Sequence, residues 1–146
     1  MAERRWLPTF ADLVDRMSIH QLKEVLVPEH KDEYAADMRD LEHDIDMLIE
    51  EKGIKLTGRM VRALIVLSQM NSHIWHNESG ARKGEHQDLS CLRLSHGLNG
   101  IRNRTMNLIK HETGDTEKLD WKTDCLAAEF DDWRVSLLED DVRDDD

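Results

Sequence analysis

Asn71, Trp75 and Glu78 stand four and three residues apart, which puts them on one face of a helix. A carboxylate beside an indole in a partly apolar cleft is suited to work as a general acid or base. The rest of that stripe, Met60, Leu64, Leu67 and Ile74, is apolar. Asn71 and Glu78 therefore stand where a helix normally buries hydrocarbon, and buried polar groups cost free energy unless they are paired. A plainer role is also open: Asn71 and Glu78 can pair with Arg102 or another cation and fix the helix register.

A second segment, residues 96–110, breaks the same rule. It carries Asn99, Arg102, Asn103 and Asn107 among Leu98, Ile101, Thr105, Leu108 and Ile109. Asn is a poor helix former, and Gly97 and Gly100 each cost about 1 kcal/mol relative to Ala inside a helix. Asn99 and Asn103 are spaced as an amide pair, flanked by Arg102 and Arg104. Guanidinium groups contact phosphates and carboxylates in bidentate fashion. The alternative is a tight helix crossing at Gly97 and Gly100 with the Asn side chains in water.

A third stripe runs Asp12, Asp15, Ile19, Leu22, Leu26. It makes Asp15 a candidate for partial burial, with Arg16 and Lys23 near enough to compete for it. An intrahelical ion pair, worth a few tenths of a kcal/mol, is the bland reading. Taken together, these residues suggest a polar pocket between helices that takes a small anionic ligand, a nucleotide or sugar phosphate. Arg102 and Lys23 would meet the anion. Asn71, Asn99 and Asn103 would orient it beside Trp75, and Glu78 or Asp15 would act as base. No cofactor is specified, although a divalent metal held by Glu78 or Asp15 is compatible with the set.

Other metal signals are thinner. His73 and His76 are spaced as two ligands on a helix can be, but no third ligand is signalled nearby. Three acidic pairs, Asp12/Asp15, Asp37/Asp40 and Glu129/Asp132, are loosely similar to the paired acids with which helical nucleotide pyrophosphohydrolases of the MazG type hold magnesium. The first two pairs use the shorter Asp, and the flanking Glu-Leu-Gly-Asp run of that family is absent. There is no nucleophile elbow, phosphate-binding loop, Rossmann glycine pattern or zinc-finger spacing.

The elements that must position these residues are helical. Many Leu, Met, Asp and Glu with few aromatic and β-branched residues, and only two prolines, point to an all-α fold. The patterns predict an antiparallel bundle of four or five helices in one domain, residues 1–138, followed by an acidic, frayed tail from 139 to 146. Thr9 and Asp12 open the first helix as a capping box, and Pro28 ends it. The second covers residues 31–52 with the seam Tyr34, Met38, Leu41, Ile45, Leu48 and stops at Gly53. The third runs to Ser79, with a loop from Gly80 to Asp88. The fourth spans 89–112 and closes at Gly114. The fifth spans 116–139 along Leu119, Thr123, Leu126, Phe130, Trp133 and Leu137.

Three blocks in one order complete the reading: residues 12–19 (DLVDRMSI) with Lys23, residues 71–78 (NSHIWHNE), and residues 99–104 (NGIRNR). They resemble small helical proteins of bacteria and tailed phages that share an acid-Leu-Ile/Val-Asp opening, a central Asn…Trp…Glu helix and a later Asn-x-x-Arg helix. Asp15, Lys23, Asn71, Trp75, Glu78, Asn99 and Arg102 match that pattern. His20, Gln21, His76 and the acidic tail depart from it. The resemblance implies no particular activity; a phage origin would fit the size and acidity of the chain, and would place it in the host cytoplasm.

A net charge of −11 argues against bare DNA or RNA as a partner. It leaves room for a second role, an acidic interaction module or inhibitor on a basic protein surface. A third is a homodimer through a helix seam. The longest apolar run, residues 63–67, is too short to span a bilayer. Cys91 and Cys125 form no CxxC and no signal peptide is evident, so both read as reduced thiols of a cytosolic protein.

Overall fold

Thr9 fixes where the first helix begins. Its hydroxyl accepts the Asp12 N–H at 3.2 Å, and the Asp12 carboxylate accepts the Thr9 N–H at 2.9 Å. This reciprocal pair starts α1, Phe10–Leu26, by satisfying two N–H groups that have no partner within the helix. Pro28 follows two residues after Leu26 and opens a 3-10 turn, Pro28–His30, because a proline cannot donate to a continuing helix. α2, Lys31–Lys52, ends at Gly53 in the left-handed region with φ 62°. α3 is Gly58–Arg82, opened by the Thr57 hydroxyl, which accepts the Met60 N–H at 3.1 Å. α4 is Leu89–Thr113. It stops at Gly114, φ 80°, where the Asp115 N–H reaches back to the Lys110 carbonyl at 2.8 Å in the manner of a Schellman closure. A four-residue α5, Ser136–Glu139, completes the order. The computed structural model describes residues 2–4, 6–82, 89–119 and 133–139.

The result is an all-α bundle, with no strand among the described residues. Contacts at the two ends of each helix pair give the directions. Arg59 pairs with Glu112 at 3.3 Å, while Asn77 donates to the Cys91 carbonyl at 3.0 Å and the Ser95 hydroxyl at 2.9 Å. α3 and α4 are therefore antiparallel. Asp12 lies near Lys110 and Asp15 against Arg102, so α1 is antiparallel to α4. The core is built mainly from α3 and α4: Met60, Ala63, Leu67 and Met70 meet Leu98, Ile101, Met106 and Ile109. Phe10 and Ala11 join from α1, Leu137 and Leu138 from α5. Gly97 and Gly100 are buried, consistent with the extensive packing of α4 on α3.

α2 is placed differently. It packs chiefly on α1, and Leu41 is its one buried residue. Its seam residues Tyr34, Met38, Ile45 and Leu48 are only partly covered. No helix among the described residues is long and apolar enough to cross a membrane.

Two elements differ from expectation. α3 does not stop at Ser79 but continues through a buried Gly80 to Arg82; packing outweighs the roughly 1 kcal/mol cost of glycine. The fifth helix does not run unbroken from 116. Thr116–Lys118 is a 3-10 turn, Leu119 is extended, and Trp133 to Val135 are not helical. The Lys118 carbonyl, which a helix would use, accepts the Lys110 ammonium at 2.6 Å instead. Thr123, Cys125, Leu126, Glu129, Phe130 and Asp132 lie outside the described residues, as do residues 83–88 and the tail from 140.

Candidate ligand-binding groove

Asp15 sits in the middle of α1 and is only 8% exposed. Its Oδ1 accepts the Asn71 amide at 2.9 Å and the Arg102 Nε at 3.0 Å, and its Oδ2 takes the Arg102 Nη2. The second Asn71 amide hydrogen goes to the Ser18 hydroxyl at 3.1 Å. Arg102 spends its remaining terminal nitrogen on the Asn103 side-chain oxygen at 3.1 Å. Three helices are thus joined through one carboxylate, which grips a guanidinium in fork geometry. Among the described residues no buried side-chain nitrogen or oxygen is left without a partner. Asp15, Asn71, Arg102 and Asn103 form a closed clasp.

The other site residues read from the sequence are elsewhere. Asn99 turns its amide back onto its own helix, to the Ser95 carbonyl at 3.0 Å, and does not pair with Asn103. Trp75 is half-buried on α3. Glu78 is exposed, without the apolar enclosure that acid–base work would need. Lys23 stands apart from the clasp, with its ammonium 5.8 Å from the Tyr34 ring.

Lys23 instead lines a groove of about 700 Å³ that runs along α1. The size is within the range of small-molecule sites. Asp12, Asp15, Arg16, Ile19, His20 and Lys23 line it from α1, and Trp6, Pro8 and Lys110 join them at the Asp12 end. Lys110 comes from the last turn of α4 and is only 7% exposed. Its ammonium bonds the Lys118 carbonyl and lies 3.9 Å from an Asp12 oxygen; an ammonium has three hydrogens to give. The Arg16 side chain is exposed and forms no hydrogen bond or ion pair with a described residue. His20 bonds the Arg16 carbonyl through Nδ1 at 3.0 Å, and its Nε2 faces Asp37 at 3.4 Å.

The balance of charge in the groove follows from which groups are already engaged. Asp15 is clasped by Arg102 and Asn71, and Asp12 caps α1. Among the described residues no carboxylate pairs with Arg16 or Lys23. The groove is a locally cationic strip on a chain whose net charge is −11, and such a strip concentrates small anions.

Sequence reading overlooked Trp6 and Lys110. Trp6 precedes the first helix, where no periodicity marks it. Lys110 follows the apolar pair Leu108 and Ile109 and reads as a solvated helix end. Arg16 enters the sequence reading only as a competitor of Lys23 for Asp15, although its seven-residue spacing from Lys23 places the two on one face of α1.

Among the described residues no group of three or more His, Cys, Asp or Glu stands close enough to hold a metal ion. His73 lies edge-on to Trp133 at 4.6 Å. The chain matches no protein-family model, no curated protein and no solved structure.

Proposed function

We propose that this bundle binds a small anionic ligand, a nucleotide or sugar phosphate, in the groove along α1. The observation that carries the reading is the pairing pattern. The groove's two carboxylates are engaged within the fold, while Arg16 and Lys23 face it without a carboxylate partner among the described residues, and the buried Lys110 ammonium stands at its end. The anion would sit on Arg16 and Lys23, with His20 between them. Arg102 does not serve as the anion contact in this reading. It holds Asp15, and through Asp15 it holds the wall of the groove in register.

A thermal-shift titration with pyrophosphate, sugar phosphates and nucleotides tests this. A ligand that binds only the native state raises the melting temperature. The double variant Arg16→Ala, Lys23→Ala should melt close to the parent and lose the ligand-induced rise. No rise with any of these compounds at millimolar concentration would overturn the proposal.

A second reading, an acidic module that docks on a basic protein, is favoured by α2. Asp32, Glu33, Asp40, Glu42, Asp46 and Glu50 are exposed on a helix that leans chiefly on α1. Binding of that kind weakens steeply with ionic strength. A complex with a basic protein that survives high salt would count against it.

A further inference from the structure

Resting on the anion reading above, we infer that the ligand also carries an aromatic ring, placed against Trp6, so that the groove's substrate class is a nucleoside phosphate rather than a simple sugar phosphate. Trp6 lines the groove, yet 76% of its surface is exposed. An indole this open buries little apolar area within the protein, and its face away from Lys118 is left for stacking. Its position is nonetheless pinned. The Lys118 ammonium lies 4.6 Å from the centre of the indole ring and also donates to the neighbouring Leu7 carbonyl at 3.3 Å. A cation held at an aromatic face is attracted by the ring quadrupole, so Trp6 is tied to the turn that follows α4.

The groove has two chemically different ends. Trp6, Pro8, Asp12 and Lys110 make up one, and His20 and Lys23 the other, with Arg16 between. Asp12 and Lys23 are eleven positions apart on α1, about 16 Å at the helical rise. A sugar phosphate seated on Arg16 and Lys23 would leave the Trp6 end unfilled. A base joined through a sugar to two phosphates spans both ends, with the ring on Trp6 and the charge on Arg16 and Lys23. Lys110 and Asp12 then offer a donor and an acceptor to the edge of the ring or to the sugar hydroxyls.

Isothermal titration of ADP, pyrophosphate and ribose 5-phosphate against the parent and Trp6→Ala decides the matter. Base stacking on an aromatic side chain corresponds to a roughly ten- to hundredfold gain in affinity. ADP should bind at least tenfold more tightly than pyrophosphate. Trp6→Ala should bring ADP down to the level of pyrophosphate while leaving pyrophosphate unchanged, and Trp6→Phe should restore most of the difference. Trp6 is exposed, so these variants should fold as the parent does. Pyrophosphate binding as tightly as ADP, or Trp6→Ala weakening both alike, overturns the ring and leaves the anion site standing. If none of the three binds, the ring and the anion site fall together.

Discussion

Asp15 shows how one residue can look functional and act as architecture. Its carboxylate is buried, charged and shared by three helices, features that also mark catalytic acids. Here both carboxylate oxygens are held, by three hydrogen bonds from Asn71 and Arg102. Removing one partner strands the other. Arg102→Ala should lower the free energy of unfolding by about 2–3 kcal/mol, somewhat below the loss typical of fully buried pairs, because the Arg102 side chain keeps 23% of its exposure. Urea denaturation measures this, and a loss under 1 kcal/mol would mean that the clasp is not a support. Arg16→Ala, with nothing stranded, should stay within about 0.5 kcal/mol of the parent. That Asn71 and Asp15 sit on buried stripes was legible from spacing alone. That they meet each other was not, because helical periodicity gives the face of a helix but not the rotation of one helix against the next. Glu78 illustrates the same gap: its stripe is correct in period, yet its side chain emerges at the surface.

Elements were most legible where a local chemical signal marks their ends. The Thr9–Asp12 box and the Gly53 stop are properties of a few adjacent residues, and α2 spans Lys31–Lys52 as its pattern predicts. Thr9→Ala should cost about 1 kcal/mol through loss of the cap. Gly53→Ala should cost about 1–2 kcal/mol for a different reason. A Cβ at Gly53 would meet nothing within 4 Å, so the penalty is purely that of a left-handed backbone. Thermal melts of the two variants check both figures, and an unaffected Gly53→Ala would mean that the turn relaxes out of φ 62°. The fifth helix differs from its pattern because its competitor is a folded contact rather than a spacing. Lys110 stands only eight residues before Lys118, but it reaches the Lys118 carbonyl only once the chain has turned back at Gly114.

The bundle as a whole is uneven. α3 and α4 share the core with the ends of α1 and α5, whereas α2 adds one buried residue and leans chiefly on α1. Stability should be distributed in the same way. Native-state hydrogen exchange should find the amides of α2 opening at a lower free energy than those in the middle of α3 and α4. Uniform protection across the helices would mean that the α1–α2 interface is worth more than its burial indicates.

The tie between Lys118 and the Leu7 carbonyl joins residues 111 positions apart in the chain. Asn77 and Cys91, by contrast, meet across 14 positions. Closing a long loop costs more entropy than closing a short one, and distant contacts form slowly. During refolding the α3–α4 hairpin should therefore assemble first and the segment bearing Trp6 dock last. The indole is a reporter already in place for that closing step. In stopped-flow refolding, the part of the tryptophan emission that Trp6→Phe removes, among the chain's four tryptophans, should settle only after the helical signal is complete, and the groove should acquire its far end at that moment.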